Sequence, residues 1–529
     1  MIYSYIKLYH HDLTFIKPAF GRVFRIIERV WADNSGMMGS DFLCHEKVSS
    51  RLDDNTALIR RVCGSSTDIV LRPVVLANGQ RAAVFMIDGL ADSRHLGRDL
   101  LAPLTKADKA EFYSAAEIAR SVLSLTEISL ESEMQVIIES VLQGLTALFL
   151  DGAGQAVCMQ AIDWPQRSVE EPGTDVVIRG PREGFIEAMR PNVALLRRKI
   201  HHPDFRVETH RLGRYSRTDV AVVYVSGIVN EGVLSLVRKR LAGIDIDAIL
   251  DSGSVEQLLQ DAPGSLFPTV GIAEKPDIAA ARILEGRVCL VVDGSPVVLT
   301  VPMLFVEGLH SPEDYYTNYL YSSWIRIIRT LAFLLSLWLP GFFVASVRFH
   351  QETVPLKLLL SMSEAEFKTP FSTGLSLLII SLVYEILREA GIRLPKPAGQ
   401  AVSIVGAIIM GDAAVSANLI STPVLIVLAF TVVASFVSAT YLEASTLPRL
   451  LFLLLGWAFG MFGLMLGAMA MLVYLCSLES FGVPYFAPIA PLELPALKDA
   501  LLRFPVRSLD LRPSFLSRNR RRMSTEHEA

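Results

Sequence analysis

The chain has 529 residues, of which 51% are hydrophobic, and a formal net charge of −4. That length predicts two or three domains, and a mean hydropathy of +0.40 fits a soluble half joined to a membrane half. No basic field covers the soluble part, which argues against a nucleic-acid partner, and the five scattered cysteines form neither a disulfide framework nor a zinc site.

Residues 1–55 read as an N-terminal arm, with a weakly amphipathic stretch over Phe20–Trp31. From Leu58 the pattern becomes α/β. Asp68–Val75 and Ala82–Ile87 read as strands joined at Asn78-Gly79, a dipeptide that favours a tight hairpin. Leu96–Leu104, Lys109–Leu125 and Glu131–Leu142 read as helices. A first cytosolic α/β subdomain is expected over 56–145 and a second over 146–322, with Ala147–Asp151 and Ala156–Ala161 as the opening strands of the second. Ile186, Met189, Val193, Leu196 and Ile200 then recur at helical spacing. Asp219–Val225 is a β-branched strand, Val233–Leu241 and Val255–Leu259 are helices, and Arg287–Val292 pairs with Val297–Val301 across Asp293-Gly294-Ser295-Pro296.

No stretch of the soluble half carries an enzyme motif. Gly152-Ala153-Gly154 lacks the third glycine and the helix of a dinucleotide loop. Asp88, Asp151 and Asp293 each precede a glycine, as turn chemistry requires. Arg182 and Glu183 read as structural ion pairing at a helix start. The expectation is a non-enzyme with no cofactor and no metal.

The second half is a helical membrane domain, expected over 323–480. Crossings are expected near 326–347, 371–388, 419–440 and 450–477, with 398–417 a broken segment, giving four to five spans. Leu450–Leu478 has no charged residue; as a single helix it would be roughly 43 Å long, more than a bilayer core. Gly456, Gly460, Gly463 and Gly467 fall on one face of such a helix, a small-residue pattern for close packing or an oligomer face. Asp412, Glu385, Asn418, Ser403, Ser416 and Ser421 are candidates for a polar ion path, with Asp412 also suited to cap a helix from Ala413. The segment 481–529 reads as a basic tail. Its arginines place it in the cytoplasm by the positive-inside rule, and with no signal peptide the N-terminus is placed there too.

The ordered motifs resemble one family. Gly180-Pro181-Arg182-Glu183-Gly184-Phe185 continues through Arg190, Asn192, Arg197 and Arg198 to Phe205. Further on come Arg217-Thr218-Asp219, Glu274-Lys275-Pro276-Asp277, Val292-Asp293-Gly294-Ser295-Pro296, Asp314-Tyr315-Tyr316, Arg388-Glu389-Ala390-Gly391 and Ser480-Phe481-Gly482-Val483-Pro484-Tyr485. Over roughly 60–505 the chain is similar to the A subunits of GerA-family spore germinant receptors, with the stage V sporulation AF protein as a close relative. The resemblance implies a subunit of a nutrient receptor in the spore inner membrane. It implies a transporter-like, nutrient-binding B subunit and a lipoprotein C subunit as partners, and assembly into an ion-conducting homo-oligomer. The chain departs from the family pattern at Ser376 and Ser381, where acidic residues are expected ahead of Glu385, and at Ser372. A stand-alone membrane transporter is the rival reading.

Overall fold

The computed structural model describes residues 46–91, 96–106, 114–119, 128–160, 179–393 and 411–522. The arm at 1–45 with its Phe20–Trp31 stretch, and Ser403 with most of the 398–417 segment, lie outside the described residues. The chain forms two units, the first built mainly from residues up to 164 and the second mainly from residues 229 onward.

The first unit holds a five-stranded antiparallel sheet. Its strands are β1 (Ile69–Val75), β2 (Arg81–Ile87), β3 (Ile128–Glu131), β4 (Thr146–Leu150) and β5 (Ala156–Met159), in the order β1-β2-β4-β5-β3. The expected hairpin is present. Val75 pairs with Arg81, Gly79 takes φ +86°, and Asn78 Oδ1 accepts from Gln80 N at 2.9 Å. Helices α1 (Leu52–Cys63) and α2 (Met134–Leu142) pack on this sheet. One expectation needs correcting: the boundary set near 145 falls inside the first sheet. β4 is buried along its whole length and sits beside β2, so it is a central strand of the first sheet and not the start of a second. Apolar continuity hid this, because a strand covered on both faces shows no alternation.

The second unit carries another five-stranded sheet, in the order β6 (Phe205–Leu212), β7 (Thr218–Val225), β9 (Val288–Val292), β10 (Val298–Val301), β8 (Gly271–Ala273). The β9–β10 hairpin turns at Asp293-Gly294, with Gly294 at φ +91°. Helices α3 (Met189–Arg197), α4 (Glu231–Ala242), α5 (Ser252–Leu259) and α6 (Pro276–Leu284) accompany it. The core centres on Val220, Val222, Leu290 and Leu299. Residues beyond 478 belong to the same core: Phe481, Val483, Ala487, Ala500 and Leu516 are buried in it. Asn230 Nδ2 donates to Phe515 O at 3.1 Å, and Arg512 Nε to Leu284 O at 2.6 Å. The C-terminal segment is therefore folded onto the sheet through Leu516.

Between these pieces lie α7 (Tyr319–Phe349), α8 (Leu356–Phe367), α9 (Thr373–Arg393), α10 (Thr422–Val437) and α11 (Leu442–Ser477). Two helical stretches, Tyr319–Phe349 and Ala439–Ser477, are long and apolar enough to cross a membrane, and Thr422–Val437 is a shorter apolar helix. The 450–477 stretch is not one straight span. Gly460 has φ 62° and ψ −145°, outside helical geometry. Beyond it the chain doubles back, and a Cβ built on Gly467 would meet Leu455 Cδ1 at 2.7 Å. In a continuous helix those residues stand roughly 18 Å apart along the axis. α11 is thus a hairpin of two antiparallel legs, 442–459 and 461–477. The turn requires a left-handed φ, which favours glycine. Its start and its end both return to the second sheet's side: Tyr441 Oη donates to Phe305 O, and Tyr474 Oη donates to Ser265 Oγ at 3.1 Å.

Candidate functional site

The described residues concentrate their buried charge where the second sheet's domain meets the helices. A short 3₁₀ turn, Pro312–Tyr315, presents Asp314, which is 3% exposed. Asn318 then caps α7 by accepting from Leu320 N at 2.9 Å. Two turns on, Arg326 is 1% exposed. Its Nε donates to Asp314 Oδ2 and its Nη1 to Asp499 Oδ1, both at 2.9 Å. Arg329 Nη1 adds a bond to Asp314 Oδ2 at 3.1 Å and one to Leu309 O at 2.6 Å. From the C-terminal segment, Arg503 donates to the carbonyls of Asp314 and of Thr317, the latter at 2.9 Å. The Arg326 and Arg503 guanidiniums lie 5.3 and 5.4 Å from the centre of the Tyr315 ring.

Two guanidiniums thus pair with two carboxylates while a third binds carbonyls beside them, a largely buried arrangement that is tenable because the charges are paired and hydrogen-bonded. Burial alone would raise the Asp314 carboxyl, but bonds and charge from Arg329 and Arg326 hold it below the ordinary carboxylate range. Burial pushes Asp499 up. Burial, with Arg326 next to it, drives His310 down to about 3, so this imidazole stays neutral; its Nε2 lies 2.7 Å from Ala500 O.

Beside the charges stands an aromatic cluster. Phe305 stacks on Tyr441 at 5.2 Å and meets Phe333 at 5.7 Å, Phe486 at 5.3 Å and Tyr485 at 6.2 Å. Phe305 precedes α7, Phe333 lies within it, Tyr441 opens α11 and Tyr485 follows it. Four separate parts of the chain therefore share one knot. A Cβ on Gly308 would strike the Tyr441 ring, so glycine is required there for close approach. The charges and the aromatic cluster together form a closely packed joint between helix ends and the second sheet's domain.

The expected ion-path residues are dispersed. Glu385 is paired with Arg388 at 2.6 Å and with Arg449 at 3.8 Å, and Arg388 Nη1 reaches Thr446 Oγ1 at 3.4 Å. A carboxylate held by two arginines is a neutralised group. Asp412 is exposed within helical residues 411–416, so it does not occupy the cap position expected of it. Ser416 is exposed, and Asn418 is exposed at φ 55°. No hydrogen bond or ion pair among the described residues joins Asp412 or Asn418 to Glu385. Of the four glycines, Gly456 packs against Gly341 of α7 and Gly460 against Phe349, while Gly463 and Gly467 pack against the other leg of their own hairpin. They do not share one straight helical face.

The signature around 180–200 is architectural. Asn192 is fully buried and clasps the loop before α3: its Oδ1 accepts from Ile186 N at 2.9 Å and its Nδ2 donates to Ile186 O at 2.5 Å. Asp293 Oδ1 accepts from Met189 N at 2.9 Å, so the β9–β10 turn caps α3 from a distance. Glu183 pairs with Lys199 at 3.1 Å and Arg198 at 3.7 Å. Gly184 and Arg197 are buried, whereas Arg182 and Arg190 are exposed. The junction itself was missed as a site. Its residues read in the sequence only as span-flanking arginines and isolated acids, because Asp499 reaches Asp314 and Arg326 only after the chain returns from the long apolar helices.

A protein-family model described as Bacillus/Clostridium GerA spore germination protein matches residues 57–515. Spore germination protein KA of Bacillus subtilis (strain 168) is 38% identical over 476 residues, 89% of this chain and 88% of that one. The uncharacterized membrane protein YfkQ of the same strain is 35% identical over 91% of this chain and 94% of its own. Spore germination protein GerLA of Bacillus cereus is 34% identical over 87% and 94%. The crystal structure of the N-terminal domain of the A subunit of the Bacillus megaterium spore germinant receptor GerK3 is 32% identical, covers 49% of this chain and 98% of that chain, and has a TM-score of 0.40. With its own motifs in order and these relatives aligned along nearly their full length, the chain belongs to the GerA family of spore germination proteins.

Proposed function

We propose that this chain is the A subunit of a nutrient germinant receptor in the spore inner membrane. In this reading it spans the membrane with four to five helical crossings, keeps both termini on the cytoplasmic side, and associates with copies of itself around an ion path. A transporter-like B subunit binds the nutrient, and a lipoprotein C subunit completes the receptor. What supports the reading most is the knot of Phe305, Phe333, Tyr441 and Tyr485. A change in the position of α7 or α11 cannot occur there without moving the soluble domain as well. Nutrient binding by a partner would act by favouring one of two arrangements of this joint.

The test has two parts. Spores lacking the chain are exposed to a panel of single nutrients while optical density and released monovalent cations are followed. Loss of the response to at least one nutrient, restored by the intact gene, is the expected outcome; unchanged responses to all refute the receptor role. The purified protein in vesicles is then assayed for cation flux, with Asp412→Asn and Glu385→Gln compared. Flux that is absent under all conditions refutes the conducting role and leaves that of a scaffold.

A further inference from the structure

We infer that residues 492–506, with the first turns of α7, form a collar that seats the chain on the anionic cytoplasmic face of the bilayer. The inference rests on the reading of α7 as a membrane-spanning helix. A soluble C-terminal segment should hide its large apolar side chains, yet Leu492, Leu494, Leu502, Phe504 and Val506 are all exposed, Leu494 by 69%. Their position is fixed. Arg503 N donates to Ser323 Oγ at 3.0 Å, and Ser323 Oγ donates back to Arg503 O at 2.9 Å. Arg326 holds Asp499 from the next turn of α7. Leu502 and Phe504, which flank Arg503, therefore stand level with the entry of α7.

The same level of α7 exposes Tyr321 and Trp324, each by about 60%. Trp and Tyr favour the headgroup region because one end of the ring system is apolar and the other polar. Between Asp499 and Asp510 the chain has Arg503 and Arg507 but no acid. Arg503 is turned inward on carbonyls, while Arg507 is exposed, as are Arg518 and Arg521. Apolar side chains beside outward cations match a monotopic surface element, in which acyl contact and attraction to anionic headgroups act together. Continuity with α7 and the interfacial aromatics select the lipid surface over a protein groove.

The unsubstituted full chain is reconstituted into nanodiscs of phosphatidylcholine with phosphatidylglycerol, doped with a lipid whose acyl chain carries a photoactivated diazirine. Adducts are mapped by mass spectrometry. The inference expects adducts on 492–506 as well as on 319–349. Adducts on 319–349 with none on 492–506 overturn the collar and leave the spanning helix standing. Adducts on neither overturn the spanning reading and the collar with it. The anionic part is read by repeating the labelling in pure phosphatidylcholine and with Arg507→Glu, where the 492–506 yield should fall at least about threefold; an unchanged yield overturns the role of headgroup charge. Labelling of 492–506 that is present in the chain alone and lost when a partner protein is co-reconstituted would identify a protein surface and overturn the inference.

Discussion

Gly341 of α7 and Gly456 of α11 meet backbone to backbone. A Cβ on Gly456 would run into the carbonyl of Gly341, and one on Gly341 would lie 2.5 Å from the carbonyl oxygen of Phe452. Main chain cannot step aside as a side-chain tip can. Gly456→Ala and Gly341→Ala should therefore each cost about 1–3 kcal/mol by overpacking. Gly467→Ala, which faces only the ends of Leu455 and Phe452, should cost less. Thermal unfolding of the detergent-solubilised variants ranks the three, and a Gly467→Ala loss equal to that of Gly456→Ala would contradict the assignment.

Arg326→Ala would take the arginine partner from Asp499 and leave Asp314 held by Arg329 alone. Breaking one side of a buried pair costs about 3–5 kcal/mol, because the remaining charge is left uncompensated. The variant should accumulate poorly or unfold well below the native chain. The double variant Arg326→Met with Asp499→Asn should recover part of the loss, since Asp499 is then uncharged while Arg329 still pairs with Asp314. Yield after membrane extraction and the melting temperature report both effects.

Acid should loosen the same joint. His310 in the folded chain stays neutral down to about 3, whereas its ordinary value is 6.5. Between those limits the unfolded chain binds more protons, so stability is full above pH 6.5 and is lost as pH falls, by about 2 kcal/mol at pH 5. His310→Gln keeps a donor for Ala500 O and removes this contribution. Melting curves at pH 7 and pH 5 should show a smaller drop for the variant; an equal drop means that His310 is not the sensor.

Tyr441→Phe separates the knot's hydrogen bond from its packing. The hydroxyl donates to Phe305 O in a fully buried position. Its removal should cost about 1–3 kcal/mol through the unsatisfied carbonyl. Tyr441→Ala, which also empties the ring site, should cost about 3–5 kcal/mol. If the joint transmits the nutrient signal, germination rate in Tyr441→Phe spores should fall by more than the amount of chain in the membrane does. Immunoblot signal set against optical-density kinetics makes that comparison.

Legibility in the sequence followed the range of the interaction. The β1–β2 hairpin was readable from Asn78-Gly79 and alternation, and β9–β10 from Asp293-Gly294, because turn chemistry is local. β6, β8 and α6 were not assigned. β6 carries Arg206, Glu208, His210 and Arg211 among its apolar residues, and β8 is three residues long. The reversal at Gly460 was invisible for another reason: a glycine inside an apolar run suits a tightly packed straight helix as well as a turn. The Asp314–Arg326–Asp499 contact joins residues separated by more than 170 positions, which no periodicity can report.

The placement of Leu516 in the core of the second sheet has a consequence for biogenesis. The strands that it covers are translated before any of the long apolar helices, and Leu516 is translated after all of them. That sheet therefore leaves the ribosome with part of its greasy surface bare, and is sealed only once the hairpin at Gly460 has brought the nascent chain back. Any truncation between β10 and Leu516 yields a protein with an open seam, a feature that a protease can use to remove incomplete copies.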